Sequence, residues 1–304
     1  MVKKTNTLLN NNTKKGGRRK NKKTRKNKKQ KGGENNFKNV ILVIVFNYAD
    51  CVIKKDFFKQ IYEPYFKKVI FYSDMPSNND SEINYIDTSR GQYVYKIFSH
   101  LYNTYKDIID QSDGLFYSMD DNIINVNILN SFDSTKIIFT YPESTRFEGL
   151  MKNNVANKVY SDLSTVSTWH WDMHHGKQAI NKLLLDDSFK QYNLNEFVGN
   201  FSDFFYLPKK YITEKLINLF DLFAKYNIFL EIAIPTIIYY SEKNIDMYQE
   251  FKAVVLWEDD RKQTDTIEGI ANIFNSKPLF IHPIKIKDNE EIANYLINSI
   301  FKHN

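Results

Sequence analysis

The 304-residue sequence predicts an α/β domain: a mostly parallel sheet flanked by helices, preceded by a disordered basic tail. Three observations carry this expectation. Strand-like and helix-like segments alternate between Phe37 and Asn125. Charge is segregated into a basic block that ends before residue 34. Polar side chains, Asn47, Asp74 and Asp120–Asp121, recur where apolar runs stop. In parallel sheets those carboxyl ends are where ligands bind.

Residues 1–33 hold 14 Lys and Arg and no acid. Removing these 14 from the chain's 42 leaves 28 basic against 36 acidic residues, so the body is net −8 and the basic pI describes the tail. The stretch "KKGGRRKNKKTRKNKKQKGG" has no apolar surface to bury and is expected to be disordered over residues 1–36. Such a block suits contact with nucleic acid, an anionic membrane or an acidic partner; equally, it suits a solubilising or packaging extension. It lacks the apolar core of a signal peptide. The single cysteine, Cys51, excludes an intramolecular disulfide framework and fits a reducing compartment.

"NVILVIVFN" reads as a buried strand, too short to cross a bilayer. "KKDFFKQIYEPYF" follows as an amphipathic helix, then "KKVIFYSD" and "INYIDTS" as strands. "GQYVYKIFSHLYNTYKDIID" has apolar positions every three or four residues and predicts one helix before the strand "GLFYSMDD". Further on, "KIIFTYP" predicts a strand and "STWHWDMHHGKQAINKLLL" a loop entering a helix, while "NEFVGNFSDFFYLP" is irregular. "KKYITEKLINLFDLFAKYN", ending at Asn227, and "FLEIAIPTIIYYSE" predict two packed helices. "PLFIHPIKI" is a late extended stretch and "NEEIANYLINSIFKHN" a terminal helix. No repeat and no linker interrupt residues 37–304, which predicts one domain.

Asp120 and Asp121 ask for compensation, because neighbouring carboxylates repel and are costly to bury. An Asp-Asp-Asn turn closing a strand is one reading. The other is a divalent cation that neutralises the pair and bridges the phosphates of a nucleotide-sugar. The cluster "TWHWDMHH" matches no zinc spacing, and Trp169, Trp171 and His174 read instead as an acceptor-sugar surface. Glu231, a charge among apolar residues in "FLEIAIPT", and Asp203 in "NFSDFFYLP" are the candidates for a general base.

The order of segments, the Asp-Asp after a central strand and the late histidine resemble GT-A-fold (Rossmann-like) glycosyltransferases. The stretches "FYSD", "SDFFYLP", "FLEIAIPT" and "FIHPIK" resemble more closely proteins of large DNA viruses described as glycosyltransferases. The usual GT-A signature is Asp-any-Asp; here Asn122 takes its third place if Asp120 is first, whereas reading from Met119 leaves Asp121 there. In that register the resemblance implies Asp121 and His282 as ligands of Mn²⁺ or Mg²⁺, with Asp120 touching ribose or metal-bound water. It implies Lys285 on the diphosphate, Lys96 near the phosphates, and Asn47, Tyr48 and Asp74 around the base and ribose of a UDP- or GDP-sugar. Residues 37–140 would form a nucleotide-binding half and 141–304 an acceptor half.

The function expected is a metal-dependent glycosyltransferase acting on a glycan, protein or small-molecule hydroxyl, in a host cytoplasm or virion. Nucleotidyl transfer on a similar fold is the rival enzyme. A virion or nucleic-acid-binding protein acting through its tail is the non-enzymatic rival.

Overall fold

Seven consecutive apolar residues, Val40–Phe46, form β1, and all are buried. A run without alternation is what a strand covered on both faces requires. The computed structural model describes residues 37–47, 54–76, 80–142, 158–161, 176–286 and 289–302. These belong to one compact unit, Glu34–Asn304.

β1 leads through α1 (Lys55–Tyr62) to β2 (Lys68–Ser73) and β3 (Ile83–Tyr85); α2 (Ile97–Thr104) and α3 (Lys106–Asp110) precede β4 (Gly114–Met119) and β5 (Ile123–Ile124). Next come β6 (Lys158–Tyr160), α4 (Gly176–Leu184), α5 (Asp187–Lys190), β7 (Phe197–Gly199) and β8 (Phe204–Pro208). The chain ends with α6 (Glu214–Lys225), α7 (Leu230–Ser241), β9 (Ala253–Val255), α8 (Ile267–Asn275), β10 (Phe280–His282) and α9 (Glu290–Tyr295).

The main sheet has the order β3-β2-β1-β4-β8. Its first four strands are parallel, with Val43 opposite Ile70 on one side and Tyr117 on the other. β8 runs antiparallel to β4, so the sheet is mixed. A smaller sheet, β5-β10-β9, and the antiparallel pair β6-β7 complete the strands. Strand order reverses between β1 and β4, since β2 and β3 lie on one side of β1 and β4 on the other. A crevice at such a reversal is the usual ligand position in α/β sheets.

Several elements differ from the sequence reading. "NEFVGNFSDFFYLP" is two strands, β7 and β8, rather than irregular chain. "KIIFTYP" makes only isolated bridges, at Ile137 and Ile138. The helix expected over residues 91–110 divides into a 3₁₀ turn, Val94–Lys96, then α2 and α3, with Tyr105 at φ −116° between the two helices. α6 starts where Thr213 Oγ1 accepts from Leu216 N at 3.2 Å, and stops before Asn227, whose φ of 50° is left-handed. No helix among the described residues is long and apolar enough to cross a membrane.

Candidate metal centre

The two adjacent aspartates at the end of β4 are handled separately. Asp120 is buried, and its carboxylate is already satisfied: Lys54 Nζ lies 2.8 Å from Oδ2 and the Asn47 backbone N–H donates to Oδ1 at 3.3 Å. Lys54 also reaches the Asp120 carbonyl at 3.4 Å. Asp120, expected to touch ribose or metal-bound water, forms an ion pair that ties the start of α1 to the end of β4. Lys54 was not singled out in the sequence, because one lysine at the head of an amphipathic helix looks like any other.

Asp121 turns the other way. Its Oδ1 stands 3.5 Å from His282 Nδ1, and Asp203 Oδ2 stands 3.9 Å from the same nitrogen. Asp121, Asp203 and His282 offer ligand atoms that all lie within 4.8 Å of one another. Each comes from the end of a different strand. Asp121 follows β4, and His282 closes β10. Asp203 precedes β8, where its carbonyl accepts from Met119 N at 2.9 Å. Asp203, read from sequence as a possible base, is thus a member of this cluster, held there by the antiparallel pairing of β8 with β4.

Asn122 organises the three. Its Nδ2 donates to the Asp203 carbonyl at 2.6 Å, and its Oδ1 faces His282 Nδ1 at 2.8 Å. With Nδ1 donating to the Asn122 oxygen, and this same nitrogen nearest the two carboxylates, the ring lone pair left to bind a metal is on Nε2. Ile284 N, just past the His282–Pro283 peptide, donates to the Asp121 carbonyl at 2.7 Å and locks the late segment onto the turn.

The electrostatics are those of a cation site. Burial favours the neutral form of Asp121, but the charge on His282, a contact to it and Lys54 outweigh burial and hold the carboxyl below its usual range. Burial pushes Asp203 up to about 7; His282 opposes this, while Asp121, Glu231 and Asp120 add to it. Burial disfavours imidazolium at His282, yet Asp121 and Asp203 raise its pKa. The donor set fits Mn²⁺ or Mg²⁺: two carboxylates, one imidazole, and a buried Asp121 Oδ1 that makes no hydrogen bond.

Glu231 lies in the first turn of α7 and is buried. Pro235, inside that helix, has no N–H to offer the Glu231 carbonyl. Asn200 N donates to it instead, at 2.8 Å, tying the helix to the segment that carries Asp203. Burial pushes the Glu231 carboxyl up to about 8, with the His282 charge opposing.

Of the other expected residues, Asn47 and Asp74 lie at the same carboxyl edge of the sheet, where Asn47 N donates to Asp120 and Asp74 N donates to the Phe46 carbonyl at 3.1 Å. Asp74 spends its carboxylate on a loop, accepting from Thr88 N and Oγ1, both at 2.6 Å, and from Arg90 N at 2.9 Å. These bonds give it a structural role in that loop. Asn47 sits at the end of β1 with its Oδ1 buried and unpartnered. Lys96 lies over the Tyr93 ring at 4.8 Å. Lys285 is exposed between buried Ile284 and Ile286. Tyr48, Trp169, Trp171 and His174 fall outside the described residues. No protein-family model matches this chain, and no curated protein matches it.

Proposed function

We propose that this protein is a metal-dependent glycosyltransferase that moves a sugar from a nucleoside diphosphate-sugar to a hydroxyl acceptor. The observation that carries the reading is the convergence of Asp121, Asp203 and His282 at the carboxyl end of β4, beside the strand-order reversal. Mn²⁺ or Mg²⁺ held there would neutralise charge on the departing diphosphate. Asp121 and Asp203 would supply the anionic oxygens, and His282 its Nε2, the nitrogen left free when Nδ1 donates to Asn122. Lys285 offers an exposed ammonium three residues further on for phosphate oxygens. Glu231, kept protonated at neutral pH by burial, becomes a competent base for the acceptor hydroxyl once positive charge enters the neighbouring cluster. The basic tail would tether the enzyme to nucleic acid or another anionic surface.

The test is product analysis with a panel of UDP- and GDP-sugars and Mn²⁺. Free nucleoside diphosphate should appear with the parent and be lost in Asp121→Asn. Pyrophosphate as the product would replace this reading with nucleotidyl transfer. Neither product, together with no Mn²⁺-dependent rise in melting temperature, would overturn it.

A further inference from the structure

The wall beside His282 contains two residues with no role so far. Trp257 is 37% exposed, although its ring centroid is only 6.0 Å from that of the buried His282. Phe201 meets the indole edge-on at 6.4 Å. With 23 Phe and 20 Tyr in the chain, an aromatic ring near a site means little alone. Among the described residues, however, only Met75, Tyr85, Leu185 and Trp257 are large hydrophobic side chains left exposed. Trp257 is the member of that group set against a candidate ligand.

The backbone holds it there. Leu256 N donates to the His282 carbonyl at 2.7 Å, and Glu258, at a left-handed φ of 49°, turns the chain into the 3₁₀ helix Glu258–Thr264. That turn returns Arg261 over the indole, with Cζ 5.5 Å from the ring, while Nε donates to the Leu256 carbonyl at 3.4 Å. Among the described residues Arg261 pairs with no carboxylate, despite three acidic neighbours. Asp259 pairs with Lys262, and Asp260 accepts from Gln263.

We propose that Trp257 and Arg261 form a ligand subsite beside the metal centre, with Arg261 taking an oxyanion and the indole covering the ring that bears it. A guanidinium lying over an aromatic ring keeps its in-plane N–H edge available for two oxygens of a phosphate or carboxylate. A guanidinium with no carboxylate partner among the described residues, next to an exposed indole, matches a ligand with a charged group directly on a sugar or nucleoside. The inference rests on the proposed function for what that ligand is. The donor's diphosphate and an acidic acceptor sugar share this chemistry.

Pyrophosphate, UDP and glucuronate, titrated with and without Mn²⁺ and followed by isothermal titration calorimetry, test the subsite. Mn²⁺ affinity, measured first by electron spin resonance, judges the metal reading separately. Arg261→Gln should weaken its oxyanion probes at least tenfold without lowering Mn²⁺ affinity, and Arg261→Lys should recover part of the loss. Trp257→Ala should weaken UDP or glucuronate while sparing pyrophosphate. Dependence of pyrophosphate and UDP on Arg261 identifies the donor; dependence of glucuronate alone identifies an acidic acceptor. No binding by the parent, or equal binding by Arg261→Gln, overturns the subsite, whereas a parent that binds no Mn²⁺ sinks the metal reading and leaves the metal-free titrations to decide the subsite.

Discussion

A carboxylate with a lysine at 2.8 Å and a carboxylate oxygen with no donor of its own sit on successive residues after β4, and substitution should separate them. Lys54→Met strands Asp120 in a buried position, a loss of about 3–5 kcal/mol by urea unfolding. Lys54→Met with Asp120→Asn should recover most of it, because the orphaned charge is gone. A loss well under 1 kcal/mol in the single variant would mean that Asp120 escapes to water. Glu231 gives a signature in pH. Its folded carboxyl is pushed up to about 8 from an ordinary 4.5. Between those values the unfolded chain has released the proton and the native chain keeps it, so metal-free stability falls as pH rises through that window. Below it both states are protonated and the penalty disappears. Glu231→Gln should therefore match the parent near pH 4 and be more stable by on the order of a few kcal/mol at pH 8. A parent–variant difference that is flat across this range would contradict the assignment.

The loop between β3 and α2 shows how an element is set by its neighbours. Gly91 has φ +81°, and a Cβ there would stand 2.4 Å from Asn47 Oδ1 and 2.6 Å from Met119 Cε. Gly91→Ala should cost about 1–3 kcal/mol of unfolding free energy, from left-handed strain plus displacement of the ends of β1 and β4. A neutral effect would mean that the loop does not press on those strand ends. Such neighbours also explain what could be read from sequence. β1 and β4 are legible because strands buried on both faces lack polar alternation: β1 is an unbroken apolar run and β4 carries Ser118 as its one small polar residue. β8 is less so: its five residues "FFYLP" are short, end in Pro and follow "NFSD", and their antiparallel pairing with β4 is a contact that no local pattern encodes. Asp121 and His282 were visible as residue types at strand ends. Asp203's place beside them depends on the β8 register, Lys54's burial on how α1 is docked, and Arg261's position on a left-handed residue at Glu258.

At the scale of the whole molecule, the three candidate ligands are far apart in the chain and meet because two sheets share the turn after Met119. β4 belongs to the main sheet and β5 to the small one, so residues 120–122 pass from one to the other. His282 ends the small sheet's central strand, and Asp203 enters the main sheet's antiparallel edge. A mixed sheet, rather than a wholly parallel one, is therefore what completes the site. The most direct measurement is diffraction at the manganese absorption edge from crystals grown with Mn²⁺ and UDP. The expected result is an anomalous peak roughly 2.0–2.6 Å from a carboxylate oxygen of Asp121, one of Asp203 and a ring nitrogen of His282. A peak elsewhere, or none at a saturating concentration of the ion, would contradict the account.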